Sequence, residues 1–121
     1  MEHSRSRPLA LIVEDDDAVR RSLHLLLRSI DYDVRAYATA ARLLASQPLR
    51  AARVLLADYR LPDDDGIEVL RRLRTIGWRG RAFLLTGFAT PELFERASDC
   101  GYEATLEKPI RPCELIRLLR Y

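Results

Sequence analysis

The chain has 121 residues, of which 48% are hydrophobic and 31% are charged, and its formal net charge is +2. This length predicts one domain that buries a core without disulfides or metal staples, and the balance of residues excludes a disordered chain. The charge is too small and too dispersed to indicate direct binding of nucleic acid. No apolar stretch approaches the roughly 20 residues that cross a bilayer, so we expect no membrane segment.

The first eight residues are polar and basic, and they lack the apolar core of a signal peptide. We expect residues 1–8 to form a flexible arm and residues 9–121 to form the domain. The only cysteines, Cys100 and Cys113, predict reduced thiols in a cytoplasmic protein. Met1 favours an amino-terminal or separate unit, whereas the final helix, of about two and a half turns, indicates truncation.

Five apolar segments predict five strands. Residues 9–13 and 54–57 are continuous apolar runs, the second followed by Asp58, and such runs are typical of strands buried on both faces of a sheet. Residues 33–37 alternate between polar and apolar, as a more exposed strand does, and residues 82–86 and 103–108 complete the set. Strands that alternate with helices favour a parallel sheet with right-handed crossovers and helices on both faces.

A helix is predicted after each strand from capping residues and apolar spacing. The expected starting residues are Asp16 or Asp17, Thr39, Asp65, Thr90 and Pro112. The second helix is expected to run through Ala45 and to close at Gln47 and Pro48, and Gly101 is expected to end the fourth. We interpret the acidic triplet at residues 63–65 as turn and helix-cap chemistry, not as a metal site.

Each buried strand ends at a polar side chain. Glu14 and Asp15 follow the first strand, Asp58 ends the third, Thr86 ends the fourth and Lys108 ends the fifth. In open α/β folds, ligands bind at the carboxyl ends of the strands. The acids converge if the first and third strands are neighbours, as in the flavodoxin-like order 2-1-3-4-5, which makes this a doubly wound, three-layer α/β fold.

Converging carboxylates need a cation. Two of them held ~4 Å apart repel by about 4 kcal/mol at an effective dielectric near 20. Mg²⁺ fits a site of few oxygen ligands, and Lys108 supplies a compact ammonium suited to phosphate. A carboxylate nucleophile, a metal, an ammonium and a hydroxyl form a set suited to phosphoryl transfer, with an acyl phosphate on Asp58 as the product.

The motifs resemble the receiver domains of two-component response regulators, of the chemotaxis-regulator kind. They are IVEDD (residues 12–16), LADYRLP (56–62), DG (65–66), LTG (85–87) and EKP (107–109). Their order and spacing match the family from about residue 9 to residue 119. The resemblance implies that Asp58 accepts a phosphoryl group from a phosphohistidine on a histidine kinase or a histidine phosphotransfer protein. Such a chain catalyses its own phosphorylation and dephosphorylation but is primarily a bacterial signalling switch.

The same resemblance assigns roles to individual residues. Asp15 and Asp58 are expected to bind Mg²⁺ together with the backbone carbonyl of Arg60, with Glu14 helping directly or through water. Thr86 and Lys108 are expected to contact the phosphoryl group. Val19 and Leu23 of the first helix, with residues 109–112, correspond to the docking surface for the phosphodonor. The fourth helix, fifth strand and fifth helix correspond to the surface that binds an output partner or a second copy.

Two positions depart from the family pattern. Thr105 stands where the family has an aromatic residue that turns inward on activation, so we expect Thr86 to move without an aromatic partner and the output change to be small. Tyr102 is close in sequence, but we expect it to pack at the exit of the fourth helix. Phe88, which with Arg60 and Gly87 is expected to modulate the site, either excludes water from the acyl phosphate or packs against its own loop.

The sequence offers less support for three other functions. A nucleotide- or flavin-binding module needs a Gly- or Ser/Thr-rich phosphate loop after the first strand, where this chain has four acids. An Mg²⁺-dependent aspartyl phosphatase normally has its nucleophile at the end of the first strand. A receiver-like interaction module that is not phosphorylated is disfavoured because every reactive residue is present.

Overall fold

A five-stranded parallel sheet forms the centre of the molecule, with strand order β2-β1-β3-β4-β5. The computed structural model describes residues 7–120. Its strands are β1 (Leu9–Val13), β2 (Asp33–Tyr37), β3 (Val54–Asp58), β4 (Arg81–Thr86) and β5 (Ala104–Glu107). The predicted parallel sheet and its order are confirmed. Most of the predicted arm, residues 1–6, lies outside the described residues.

Five α-helices cover the two faces of the sheet. They are α1 (Asp17–Ser29), α2 (Ala40–Leu44), α3 (Gly66–Thr75), α4 (Pro91–Cys100) and α5 (Pro112–Arg120). The helices α1 and α5 pack on one face, and α2, α3 and α4 pack on the other, which gives the predicted three layers. The capping predictions for Asp16, Thr39, Asp65 and Thr90 are confirmed, since each side chain accepts a backbone N–H three residues ahead.

The second helix ends differently from the prediction. A 3₁₀ turn spans Gln47–Ala51, where the sequence was expected only to close the helix. Pro48 is tolerated in its first turn because the N–H that proline lacks has no partner there. Leu49, in the same turn, is buried in the core, so the turn is part of the packed structure.

The fifth strand is shorter than predicted, because Glu103 and Lys108 lie outside β5. Both keep a backbone hydrogen bond to the edge of β4: Glu103 N donates to Ala82 O at 2.8 Å, and Lys108 N donates to Thr86 O at 2.8 Å. The second of these bonds places Lys108 beside the end of β4.

The burial of the strands explains why one edge of the sheet carries the polar residues. Every residue of β3 is buried, whereas β2 lies at the edge and alternates between exposed and half-buried residues, as predicted. The interior of the sheet is apolar, so polar side chains appear where the strands end.

Among the described residues, none of the helices combines the length and the apolar character needed to cross a membrane.

Candidate functional site

Three carboxylates meet at the carboxyl ends of β1 and β3. The pairing of Val13 with Ala57 brings these two strand ends to the same level. Glu14, Asp15 and Asp58 each place one oxygen so that the three oxygens lie within 4.8 Å of one another. Glu14 is completely buried and Asp58 is 6% exposed, whereas Asp15 faces solvent. The three carboxylates therefore converge, as expected if β1 and β3 are neighbours.

Lys108 bridges the two buried carboxylates. Its Nζ lies 2.7 Å from Glu14 Oε1 and 3.2 Å from Asp58 Oδ1. It is the only lysine among the 20 lysine and arginine residues of the chain. Burial lowers the pKa of Lys108, but its contacts with Glu14 and Asp58 outweigh burial, so that this pKa is raised overall. Lys108 is thus charged at neutral pH.

Glu14 is held in an environment that disfavours its charge. Burial raises its pKa above the usual range, even though Lys108 and the backbone N–H of Asp16 both act to lower it. The contact with Lys108 is an ion pair by distance, but its angles are not those of a hydrogen bond, and Oε1 has no other partner among the described residues. A buried carboxylate oxygen of this kind fits a site for a hard divalent cation, directly or through a bound water.

A cleft with a volume of 580 Å³ opens in front of the acids. Its walls include Asp15, Asp58, Thr86 and Lys108, together with Arg60 and Gly87 from the flanking loops. It therefore brings together most of the residues predicted for phosphoryl transfer. A phosphoryl group bonded to Asp58 would lie in this cleft.

The sequence profile of the response regulator receiver domain matches residues 10–120. The chain belongs to this family of receiver domains. It is 34% identical over 110 residues to the transcriptional regulatory protein FixJ of Azorhizobium caulinodans, covering 90% of this chain and 52% of FixJ. It is 29% identical over 109 residues to the response regulator protein TodT of Pseudomonas putida, covering 90% of this chain and 48% of TodT. The chain thus spans about half the length of these relatives.

A solved structure supports the same assignment. The CheY-like response regulator receiver domain protein from Methanospirillum hungatei JF-1 superposes with a TM-score of 0.85 at 29% sequence identity. The match covers 95% of this chain and 92% of the other. The predicted flavodoxin-like fold is therefore confirmed.

The Thr86 hydroxyl is hydrogen-bonded to the backbone of the loop that follows β4. Thr86 Oγ1 donates to Phe88 O at 3.2 Å and lies 3.3 Å from Phe88 N. The loop between β4 and α4 is also held by Glu107, whose Oε2 accepts the N–H of Ala89 at 3.1 Å. Contact between Thr86 and a phosphoryl group would require the Thr86 hydroxyl to give up its bond to the Phe88 carbonyl.

Phe88 is little buried by its own loop. The residue is 75% exposed, and it contributes to the wall of the cleft. Gly87 beside it has open space where a Cβ would be.

Thr105 is half-buried on β5, where it pairs with Leu84, and it brings no aromatic ring toward the site.

The acidic triplet has a role that the sequence did not reveal. Only Asp65 caps its own helix. Asp63 reaches a different helix, where Oδ1 accepts the N–H of Ala40 at 3.0 Å and Oδ2 accepts that of Ala41 at 2.9 Å. The interpretation of Asp63 as local turn chemistry is therefore wrong, because its partners lie 22 or more residues earlier in the chain.

A second unpredicted contact joins the site to α4. Arg96 Nη1 donates to the hydroxyl of Tyr59 at 3.2 Å, and both residues line the cleft. Tyr59 directly follows Asp58, so α4 touches the site through the β3 side as well as through the loop after β4. Arg96 lies outside every motif, and Tyr59 lies within LADYRLP but had no role assigned to it, so the sequence did not indicate this contact.

An apolar groove lies on the other side of Lys108. It has a volume of 330 Å³ and runs between α1 and the loop after β5. Val19, Leu23, Leu26, Ile110 and Pro112 are among the residues that line it. The groove coincides with the surface that the sequence predicted for docking of the phosphodonor, and Lys108 contributes to both the groove and the cleft.

Proposed function

We propose that this receiver domain accepts a phosphoryl group on Asp58 from a phosphohistidine of a histidine kinase or a histidine phosphotransfer protein. The observation that carries the proposal is the pairing of Asp58, 6% exposed at the floor of the cleft, with an ammonium 3.2 Å away. Burial next to a fixed positive charge, at an opening of this size, suits a nucleophile that attacks a dianionic group.

In the proposed step, a carboxylate oxygen of Asp58 attacks phosphorus. An O–P bond forms while the P–N bond of the phosphohistidine breaks, and the bonding pair returns to the imidazole nitrogen, which can then take a proton from water. Lys108 is placed to contact a phosphoryl oxygen because its Nζ already touches Asp58. Thr86 would turn from the Phe88 carbonyl to donate to another oxygen.

The proposed metal is Mg²⁺, held by Asp15, Asp58 and the backbone carbonyl of Arg60, with Glu14 acting directly or through water. When bound, it would neutralise charge on the phosphoryl oxygens during transfer. The three carboxylates carry more negative charge than Lys108 alone offsets. The donor set is thus suited to a hard divalent cation.

The apolar groove beside α1 is the proposed docking surface for the phosphodonor. It adjoins the cleft at Lys108, so a protein helix seated there would lie close to Asp58. The proposed surface for an output partner or for a second copy is formed by α4, β5 and α5. We place the receiver unit at residues 9–121 and its signalling role in the cytoplasm.

Beryllofluoride, which mimics a phosphoryl group, tests this proposal without turnover. Fluorine NMR is expected to show bound beryllofluoride only when Mg²⁺ is present, and amide spectra are expected to change at Asp58, Thr86 and Lys108. The same experiment on Asp58→Ala is the control. Absence of binding in the parent at saturating Mg²⁺ would favour the interaction module that is not phosphorylated.

The amide spectra also test the consequence of Thr105. We expect the changes over residues 88–110 to be small, because Thr105 cannot supply an aromatic ring that moves into the core. Crystal structures with and without beryllofluoride are expected to differ little over these residues. A large rearrangement there would contradict this expectation.

Phe88→Ala is expected to shorten the lifetime of the phosphorylated form. The exposed ring of Phe88 stands at the wall of the cleft and can restrict the approach of water to the acyl phosphate. The rate of loss of the phosphoryl group, followed by intact mass, is the measurement. Phe94→Ala is the matched control, since Phe94 is 48% exposed on α4 but lies outside the wall of this cleft. Equal lifetimes in the parent and Phe88→Ala would refute the role in excluding water.

A further inference from the structure

The loop of residues 59–65, called here the acceptor loop, connects Asp58 to α3 and contains Arg60. It is closed by its own backbone: Leu61 N donates to Asp64 O at 3.0 Å, and Gly66 N donates to Tyr59 O at 2.8 Å. Arg60 and Asp65 also pair as an antiparallel bridge. These bonds set the shape of the loop, and Tyr59 N, which donates to Leu85 O at 2.8 Å, bonds its first residue to β4. The outlying part of the loop, which includes Asp63, is held by contacts with other elements.

Asp63 attaches the acceptor loop to α2. Its two carboxylate oxygens accept two consecutive backbone N–H groups, those of Ala40 and Ala41, at 3.0 and 2.9 Å. These donors belong to the first turn of a helix, where backbone N–H groups have no partner within the helix. The side chain of Asp63 thus holds the acceptor loop against a separate element.

Tyr102 holds the residue that follows the acceptor loop, Gly66 at the start of α3. Its hydroxyl donates to Gly66 O at 2.7 Å, and the residue is only 4% exposed. Burial raises the pKa of the phenol well above its usual range, so that the group is a neutral donor. The predicted packing of Tyr102 at the exit of α4 is confirmed by its burial, and the hydrogen bond to the start of α3 adds a role that packing does not require.

Gly66 connects the hydrogen bond from Tyr102 to the backbone of Asp58. A Cβ on Gly66 would lie 2.7 Å from the carbonyl oxygen of Asp58, so the two backbones are in direct contact. The N–H of Gly66 holds Tyr59, and its carbonyl oxygen accepts from Tyr102. Displacement of Gly66 would therefore move the backbone on both sides of Arg60.

We propose that Asp63 and Tyr102 are positioning residues, which hold the acceptor loop and the residue that follows it so that the backbone carbonyl of Arg60 is presented to a divalent cation beside Asp58. This inference rests on the proposed function, since it assigns the supports of one ligand of the proposed metal. A carbonyl has no charge to draw it toward the cation, so its contribution depends on a loop that is already in place.

The test is a titration of the ¹³C,¹⁵N-labelled protein with Mg²⁺, carried out on the parent, Asp63→Asn and Tyr102→Phe. Two quantities are read from the NMR spectra: the dissociation constant for Mg²⁺ and the change in the carbonyl ¹³C shift of Arg60. In each variant we expect affinity to fall by about threefold or more and the Arg60 shift change to shrink. The change at Asp15 is expected to remain at saturation. Loss of stability alone would not reduce the Arg60 signal selectively.

Asp64→Asn and Tyr32→Phe are the matched controls. Asp64 lies in the same loop, and its Oδ1 accepts the N–H of Asp65 at 2.9 Å, a bond that asparagine can keep. This control removes the same charge near the site, whereas Asp63→Asn also loses one of two acceptors, because an amide nitrogen cannot accept an N–H. Tyr32→Phe removes a half-buried phenol on the opposite face of the sheet.

Affinity and Arg60 shifts equal to those of the controls would overturn the inference. A weaker affinity for Mg²⁺ and a smaller Arg60 shift change in only one of the two variants would overturn the claim that both residues position the loop. A parent that shows no Mg²⁺-dependent change at Arg60 or Asp15 would refute the metal site itself, and with it the proposed function.

Discussion

Lys108→Ala is expected to lower the free energy of unfolding at pH 7 by about 2 kcal/mol when no metal is added. The ammonium lies 2.7 Å from fully buried Glu14 and 3.2 Å from Asp58. Without it, two carboxylates are left close together with no cation in contact. The side chain of Lys108 is 21% exposed, which keeps the expected loss below that of a fully buried pair.

The loss of stability in Lys108→Ala is expected to become smaller as the pH is lowered. Burial raises the pKa of Glu14 above 4.5, its ordinary value, and removal of Lys108 takes away a contact that lowers it. A group whose pKa is raised by folding stabilises the folded state below its unfolded pKa, and this contribution disappears as pH rises through the folded pKa. In Lys108→Ala the pKa of Glu14 rises further, so charging Glu14 destabilises the variant more than the parent. The difference in the free energy of unfolding between the two proteins should therefore be largest at pH 7 and decrease toward pH 4.5.

Urea denaturation of both proteins at several pH values measures this difference. Arg35→Ala is the control, because it removes a cation from the exposed edge strand β2, away from the acids. Addition of Mg²⁺ is expected to restore part of the stability of Lys108→Ala, since a divalent cation offsets the same carboxylates. Equal stability of the parent and Lys108→Ala at pH 7 would show that the ion pairs contribute nothing measurable.

The sheet and the acidic cluster could be predicted because their signals are local. The apolar run of residues 54–57 and the Asp58 that follows it lie together in the sequence. The alternation of strands and helices predicts a parallel sheet, and the order 2-1-3-4-5 is that of the flavodoxin-like fold. The caps at Asp16 and Thr90 depend on bonds to residues three positions ahead. Patterns of this length are complete within a few residues.

The supports of the site could not be predicted because they join distant parts of the chain. Asp63 caps a helix that begins 23 residues before it, and Tyr102 bonds to Gly66 across 36 residues. Nothing in the triplet at 63–65 distinguishes the residue that caps its own helix from the one that caps another. The partners become apparent only when α2, α3 and β5 have been packed on the sheet.

The position of the charges was also only partly predictable. The sequence indicated that Lys108 would contact a phosphoryl group, but it did not indicate that the Lys108 ammonium would lie closer to Glu14 than to Asp58. The exposure of Phe88 and the turn of Thr86 toward the Phe88 backbone depend on the shape of the loop after β4. That shape is set partly by Glu107 and Ala89, which are 18 residues apart.

Asp58→Asn is expected to abolish phosphorylation of this receiver domain. Asparagine keeps the size of the side chain but removes the carboxylate that attacks phosphorus and that contributes to the proposed metal site. Glu14 is buried against Lys108, and Asp15 lies on the neighbouring strand end, so neither is placed to replace Asp58 efficiently. The expected effect is a loss of the phosphorylated form, not a reduced rate of the same reaction.

The most direct test of this account is the intact mass of the protein after incubation with acetyl phosphate, with and without Mg²⁺, beside Asp58→Asn treated identically. We predict a gain of one phosphoryl group in the parent that requires Mg²⁺ and is absent from Asp58→Asn. No gain in the parent under any condition, or an equal gain in Asp58→Asn, would contradict the assignment of Asp58 as the phosphoacceptor.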